Sequence, residues 1–101
     1  MILYNITLKV EGAIAGDFSA WMLEEHLPAV LATGCFNSSR LFRLLETDDS
    51  DGPTYAVQFT APGKTHYDKY ISGYAQAHRR QLEAKWAGRY VWFPSVMELI
   101  Q

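Results

Sequence analysis

The chain is 101 residues long, 49% hydrophobic and 20% charged, with a formal net charge of −2. This composition fits one globular domain with a modest core, spanning residues 1–101, and excludes disordered and fibrous classes. No basic surplus exists to neutralise a phosphate backbone, and no apolar run approaches the roughly 20 residues of a membrane span, so neither nucleic acid nor a membrane is expected as a partner.

The opening residues Met1 to Asn5 show neither a basic leader nor a cleavage site. Cys35 is the only cysteine, which rules out an internal disulfide and makes a cytoplasmic location the expectation. Cys35 itself reads as a small buried residue after a turn rather than a reactive thiol.

Ile2 to Val10 alternates, with Ile2, Tyr4, Ile6, Leu8 and Val10 on one side and Leu3, Asn5, Thr7 and Lys9 on the other. That period of two predicts a half-buried strand. Glu11 to Asp17 is a loop, with Asp17 or a neighbour as the expected cap of a helix running to Thr33. Each helical residue turns by roughly 100°. Phe18, Met22, Leu23, His26, Leu27, Val30 and their apolar neighbours then share an arc of roughly 220°. His26 falls inside that arc. Pro28 lacks a backbone donor and disfavours helical geometry at Leu27, so a bend or a restart with Pro28 in its first turn is expected. Gly34 is the expected left-handed stop.

A second strand is expected within Cys35 to Glu46, clearest from Arg40 onward. Thr47 to Pro53 is an acidic turn, and Asp51-Gly52 is a hairpin signal. The turn does not fit a calcium loop. With Gly52 at the sixth position, Thr47 occupies the first and Gln58 stands where a bidentate glutamate belongs. Thr54 to Thr60 alternates as a third strand. Thr65 and Asp68 resemble a capping box opening a second helix over His66 to Trp86. On its wheel Tyr67, Tyr70, Tyr74, His78, Ile71 and Leu82 share an arc of roughly 160°, with Asp68, Lys69, Arg79 and Arg80 opposite. Gly88 is the expected stop. Arg89 to Ile100 is the last strand, and Pro94 makes it an edge.

The order strand, helix, strand, strand, helix, strand predicts an α+β, ferredoxin-like βαββαβ fold. Its four-stranded antiparallel sheet would have the first and third strands central and both helices on one face. The uncovered face should carry Asn5, Thr7, Lys9, Ala56, Gln58 and Thr60. Tyr90, Val91, Trp92 and Phe93 are consecutive and cannot all enter one small core, so a partner chain is expected to cover some of them, most simply in a homodimer through the uncovered face.

Three stretches carry a resemblance. The opening Met1 to Thr7, the run Trp21 to Phe36 around Glu25-His26-Leu27-Pro28, and Thr54 to Gln58 resemble the bacterial family known as domain of unknown function 4286 over nearly the whole chain. The resemblance implies a ferredoxin-like fold of the dimeric alpha-beta barrel type, with two sheets meeting through their uncovered faces, and no established activity. The spacing of His26 and Pro28 also resembles small barrel proteins of the EthD-like and antibiotic-monooxygenase-like kind. For those, a small molecule held between helices and sheet, and in some cases haem, is implied.

The candidate site is a cleft near His26, Tyr67, Tyr70, Tyr74 and His78, with Arg43 as a side chain able to clamp a carboxylate. Each has a plainer reading. A histidine on an apolar helix face is commonly a core residue bonded to backbone, tyrosines serve a core margin as well as a pocket wall, and Arg40 and Arg43 suit an exposed strand surface. No catalytic residue is assigned, and no metal or other cofactor is expected. Adjacent Glu24 and Glu25 do not face each other, and no phosphate loop, nucleophile elbow, zinc spacing or dinucleotide fingerprint is present. Two functions remain open: a small-molecule binder or cofactor-free enzyme working in this cleft, and a non-enzymatic dimeric structural or interaction module.

Overall fold

The computed structural model describes residues 1–101. Ile2–Val10 (β1) alternates buried and half-buried residues along its length. The remaining strands are Ser38–Arg43 (β2), Thr54–Ala61 (β3) and Tyr90–Glu98 (β4). They form one antiparallel sheet in the order β2-β3-β1-β4, with Pro94 on the edge strand opposite Ile6. This is the ferredoxin-like arrangement that the element order predicts. No helix is long and apolar enough to cross a membrane.

The first helical stretch departs from a regular helix. A single 3-10 turn, Gly12–Ile14, leads into Ala15–Trp21 (α1), a π-helical turn at Met22–His26, and Leu27–Leu31 (α2). The π-helical turn answers the Pro28 problem. Leu27 N–H donates to the Met22 carbonyl five residues back, and Pro28 sits in the first turn of α2, where its missing donor costs little. The extra residue in that turn lets both His26 and Leu27 be buried together with Phe18, Met22 and Val30. Leu23, placed on the apolar side by a regular wheel, is exposed instead. The helix starts at Ala15 with no side-chain cap, so Asp17 lies in the first turn rather than capping it. Gly34 closes the segment at φ +76°.

The second helical stretch is also two helices, Lys64–Gly73 (α3) and Ala75–Trp86 (α4), broken at Tyr74, whose φ of −132° lies outside the helical range. The N-cap of α3 is Gly63 and it makes no side-chain cap bond, so Thr65 and Asp68 do not form a capping box. Asp68 instead pairs with Lys64 one turn before it, at 2.7 Å. β2 is shorter than expected, and the connection from Arg43 to Thr54 is a long loop rather than a tight two-residue hairpin.

The core lies between the helices and one sheet face. Leu8, Phe18, Val30, Val57 and Leu82 are completely buried, and Tyr4, Phe36, Phe59 and Tyr70 pack as an aromatic cluster with ring centroids 4.9 to 6.3 Å apart. The opposite sheet face has no helix on it. Strand register sets side chains there in rows: Phe42, Ala56, Thr7 and Phe93; then Arg40, Gln58, Asn5 and Ser95. Trp92 points to the helix side and is half-buried against the core, whereas Val91, Phe93 and Met97 are exposed.

Candidate functional site

A cleft of about 240 Å³ opens between α4 and the sheet. Its floor is built by β1 and β3, which supply Tyr4, Ile6 and Phe59, and by Trp92 of the edge strand. Its helical wall supplies His26, Tyr70, Ala75, Gln76, His78 and Arg79. Most of this lining is apolar or aromatic, with a few polar groups converging on it, which is the ordinary composition of a small-molecule site.

His26 enters the cleft from the π-helical turn. The ring is 5% exposed, stacks on Trp21 at 5.2 Å between centroids, and meets His78 edge-on at 6.0 Å. Its Nδ1 is buried and has no hydrogen-bond partner. Burial, with a smaller contribution from neighbouring His78, pushes its pKa down to about 4, so the ring is neutral at physiological pH. The expectation of a histidine satisfied by backbone is therefore not met at Nδ1. On its other side the ring borders a wider surface groove lined by Trp21, Glu25, Gln81, Ala84 and Lys85.

His78 stands on α4 facing back towards α3. Its Nδ1 lies 2.8 Å from the Tyr70 hydroxyl, and burial lowers its pKa. Burial also raises the Tyr70 phenol, and it raises Tyr4 to about 12, helped by neighbouring Tyr67. Both phenols therefore keep their protons at neutral pH. The one formal charge on the cleft wall is the Arg79 guanidinium. It sits 4.0 Å over the Trp92 ring, and its Nη1 donates to the Tyr90 hydroxyl at 2.6 Å. No carboxylate lines the cleft. The arrangement offers single hydrogen bonds from neutral groups, one cation and flat aromatic walls.

Of the six candidate residues, His26, Tyr70 and His78 meet in this cleft and the other three do not. Tyr67 is half-buried beside it, edge-on to Tyr4 at 5.4 Å and under Lys64. Tyr74 occupies the break between α3 and α4, about one third exposed and stacked on Tyr70. Arg43 is far off on the sheet edge, where Asp49 of the acidic loop takes its guanidinium at 2.8 Å. Tyr4, Phe59, Trp92 and Arg79 were missed. The first three could have been found from strand alternation combined with the predicted sheet order, since they share the helix-facing side. Arg79 could not, because its position on the wheel is polar and only its length carries the guanidinium over Trp92. No group of three or more His, Cys, Asp or Glu side chains converges anywhere as a metal site.

Comparison with known proteins adds the following. The family model described as "Domain of unknown function (DUF4286)" matches residues 1–100. The chain's fold is similar to that of a variant of SnoaB, a cofactor-independent oxygenase from Streptomyces nogalater, at 14% identity and a TM-score of 0.72 over 99% of this chain and 93% of that one. A dimeric ferredoxin-like protein from an uncultured marine organism matches at 10% identity and a TM-score of 0.72, covering 100% and 96% of the two chains. An ethyl tert-butyl ether D (EthD) family protein from Bacillus halodurans C-125 matches at 13% identity and a TM-score of 0.67, covering 99% and 100%. Curated proteins gave no match. At such identities the structural likenesses speak for the fold alone, whereas the family match spans the chain: it belongs to the DUF4286 family.

Proposed function

We propose that this DUF4286 member binds a small, flat, largely apolar molecule in the cleft between α4 and the sheet, with His26 and His78 as its polar contacts. One observation carries the reading: the His26 ring lines the cleft, and its Nδ1, closed off from solvent, has no partner, so a ligand pairs with it only by turning the ring towards the cleft. Leaving such a nitrogen unpaired costs about 1–3 kcal/mol. A site kept at that cost is more readily explained by a ligand than by stability. Because the ring is neutral at pH 7, it is also equipped to accept a proton from a bound molecule. A cofactor-independent oxygenase shares the fold, an analogy of scaffold that leaves the reaction here to be found.

The test is a thermal-shift screen of small aromatic compounds on the wild type and on His26→Ala. A ligand at a hundredfold excess over its Kd stabilises by about 2.7 kcal/mol, which for a chain of this size raises Tm by at least ~10 °C. Loss of one hydrogen bond in His26→Ala should weaken binding roughly tenfold. A hit equally potent on both proteins would remove His26 from the site.

We further propose that a second copy of the chain covers the helix-free sheet face. Phe42 and Phe93 lie in one row across that face, and Val91 and Met97 flank them on β4, each between 43% and 56% exposed. Four large apolar side chains exposed on one sheet face with no helix over it fit an interface better than a solvated surface. A sedimentation run should give a dimer for the wild type and a monomer for Phe93→Lys. A wild-type monomer at micromolar concentration contradicts this assembly and leaves the cleft reading standing.

A further inference from the structure

We infer that Tyr70 is a positioning residue that holds His78 in the tautomer with its proton on Nε2, so that the cleft meets its ligand with a donor and selects molecules carrying an acceptor oxygen. This rests on the reading of the cleft as a small-molecule site. Tyr70 is 4% exposed, and His78 Nδ1 is the hydrogen-bond partner of its hydroxyl, at 2.8 Å. Two arrangements of that bond are conceivable. If His78 Nδ1 carried the proton, it would donate to Tyr70, and the phenolic hydrogen would be left buried without an acceptor. If the phenol donates to a bare Nδ1, both groups are satisfied and the ring proton must reside on Nε2. The second arrangement avoids the penalty of a buried unpaired donor and pairs the stronger donor, O–H, with the stronger acceptor, an imine nitrogen.

Consequences for the ligand follow from what remains. With Nδ1 occupied, Nε2–H is the nitrogen of His78 left to meet a ligand. The same wall carries the Arg79 guanidinium and the Gln76 amide, which both donates and accepts, and no carboxylate is present. The wall formed by α4 is thus donor-rich, and suits a carbonyl or ionised oxygen on a flat apolar body. A ligand offering only donors would leave His78 Nε2–H and the guanidinium without an acceptor, and would find acceptors only at Gln76 and His26.

The experiment combines a spectrum with a matched pair of ligands. Long-range proton–nitrogen correlation spectra of the histidine rings at neutral pH report which nitrogen is protonated. His78 is expected to show Nε2–H in the wild type and to relax towards a tautomer mixture in Tyr70→Phe. Acetophenone and α-methylstyrene have nearly the same shape, but only the first carries an acceptor. Acetophenone should bind about tenfold tighter to the wild type, and that preference should fall by about half in Tyr70→Phe, where an even tautomer mixture leaves about half of the rings with Nε2–H. A wild-type His78 protonated on Nδ1, or a His78 signal unchanged in Tyr70→Phe, overturns the role given to Tyr70. Equal binding of the two compounds by the wild type overturns the selectivity. Binding of neither counts against the cleft itself and removes the selectivity with it, while the ring spectrum still decides the role of Tyr70.

Discussion

Acidification from about pH 7 to about pH 4 is expected to remove roughly 3 kcal/mol of folding stability through His26 alone. The native ring titrates at about 4, against the ordinary 6.5 that it regains on unfolding. Between those values the unfolded chain binds a proton that the native chain does not, so stability falls with pH. The loss begins as pH drops below the unfolded value and levels off below the native one. His78, also shifted down by burial, adds to it in the same direction. Asp48 and Asp49 act lower, because the Ser50 amide holds the Asp48 carboxyl, and the Arg43 guanidinium the Asp49 carboxyl, below the usual range. The contribution of these two is lost only as pH falls through their own native values. Urea midpoints measured across this window should therefore slope steeply for the wild type. His26→Phe should flatten most of the slope, and at pH 7 it should be no less stable than the wild type, because it removes a buried nitrogen with no partner. A wild-type midpoint that holds steady down to pH 4.5 would show that the ring is solvated or paired, and the argument for the cleft would lose its main support.

Gly52→Ala is expected to cost about 3–5 kcal/mol, as much as a large core truncation, although the residue lies in a loop. Its φ is +134°, which L side chains rarely adopt, and an added Cβ would fall 2.0 Å from the Val10 carbonyl oxygen and 2.6 Å from the Gly12 nitrogen. Both are backbone atoms and cannot swing aside. Relief would require the loop to move off the end of β1. That movement breaks the bonds from Val10 N–H to Pro53 and from Gly12 N–H to Asp51, which lock the acidic loop there at 3.0 and 3.2 Å. Gly34→Ala provides the contrast. Its φ is +76° and nothing lies within 4 Å of the added atom, so only the backbone penalty of about 1–2 kcal/mol applies. Chemical denaturation of the two variants side by side measures the difference. A Gly52→Ala protein within 1 kcal/mol of the wild type would mean that the loop is not seated on β1 as described.

The sheet was readable from the chain because its determinants are local. Alternation in Ile2 to Val10 and Thr54 to Thr60 assigns the faces, and Pro94 restricts its strand to an edge. The helices were less readable because the wheel assumes a constant turn. At Met22–His26 the chain inserts a residue to carry Pro28, so Leu23 leaves the core while His26 and Leu27 stay in it. At Tyr74 a single non-helical residue re-aims everything after it, which separates Tyr74 from the cleft that Tyr70 and His78 share. His26 was legible as a histidine among apolar neighbours, but not its missing partner, which depends on atoms from Trp21 and His78 meeting the ring in space. Arg43 failed for a similar reason. Strand alternation exposes it, and only the path of the acidic loop brings Asp49 back to occupy it.

Binding in the cleft is tested most directly by titrating a library of small aromatic fragments into isotope-labelled protein and following its backbone amide signals. The account predicts that hits move the amides of Ile6, Phe59, Ala75, Gln76 and Trp92 together. Fragments that perturb only the helix-free sheet face, or none that reach the cleft, would contradict it.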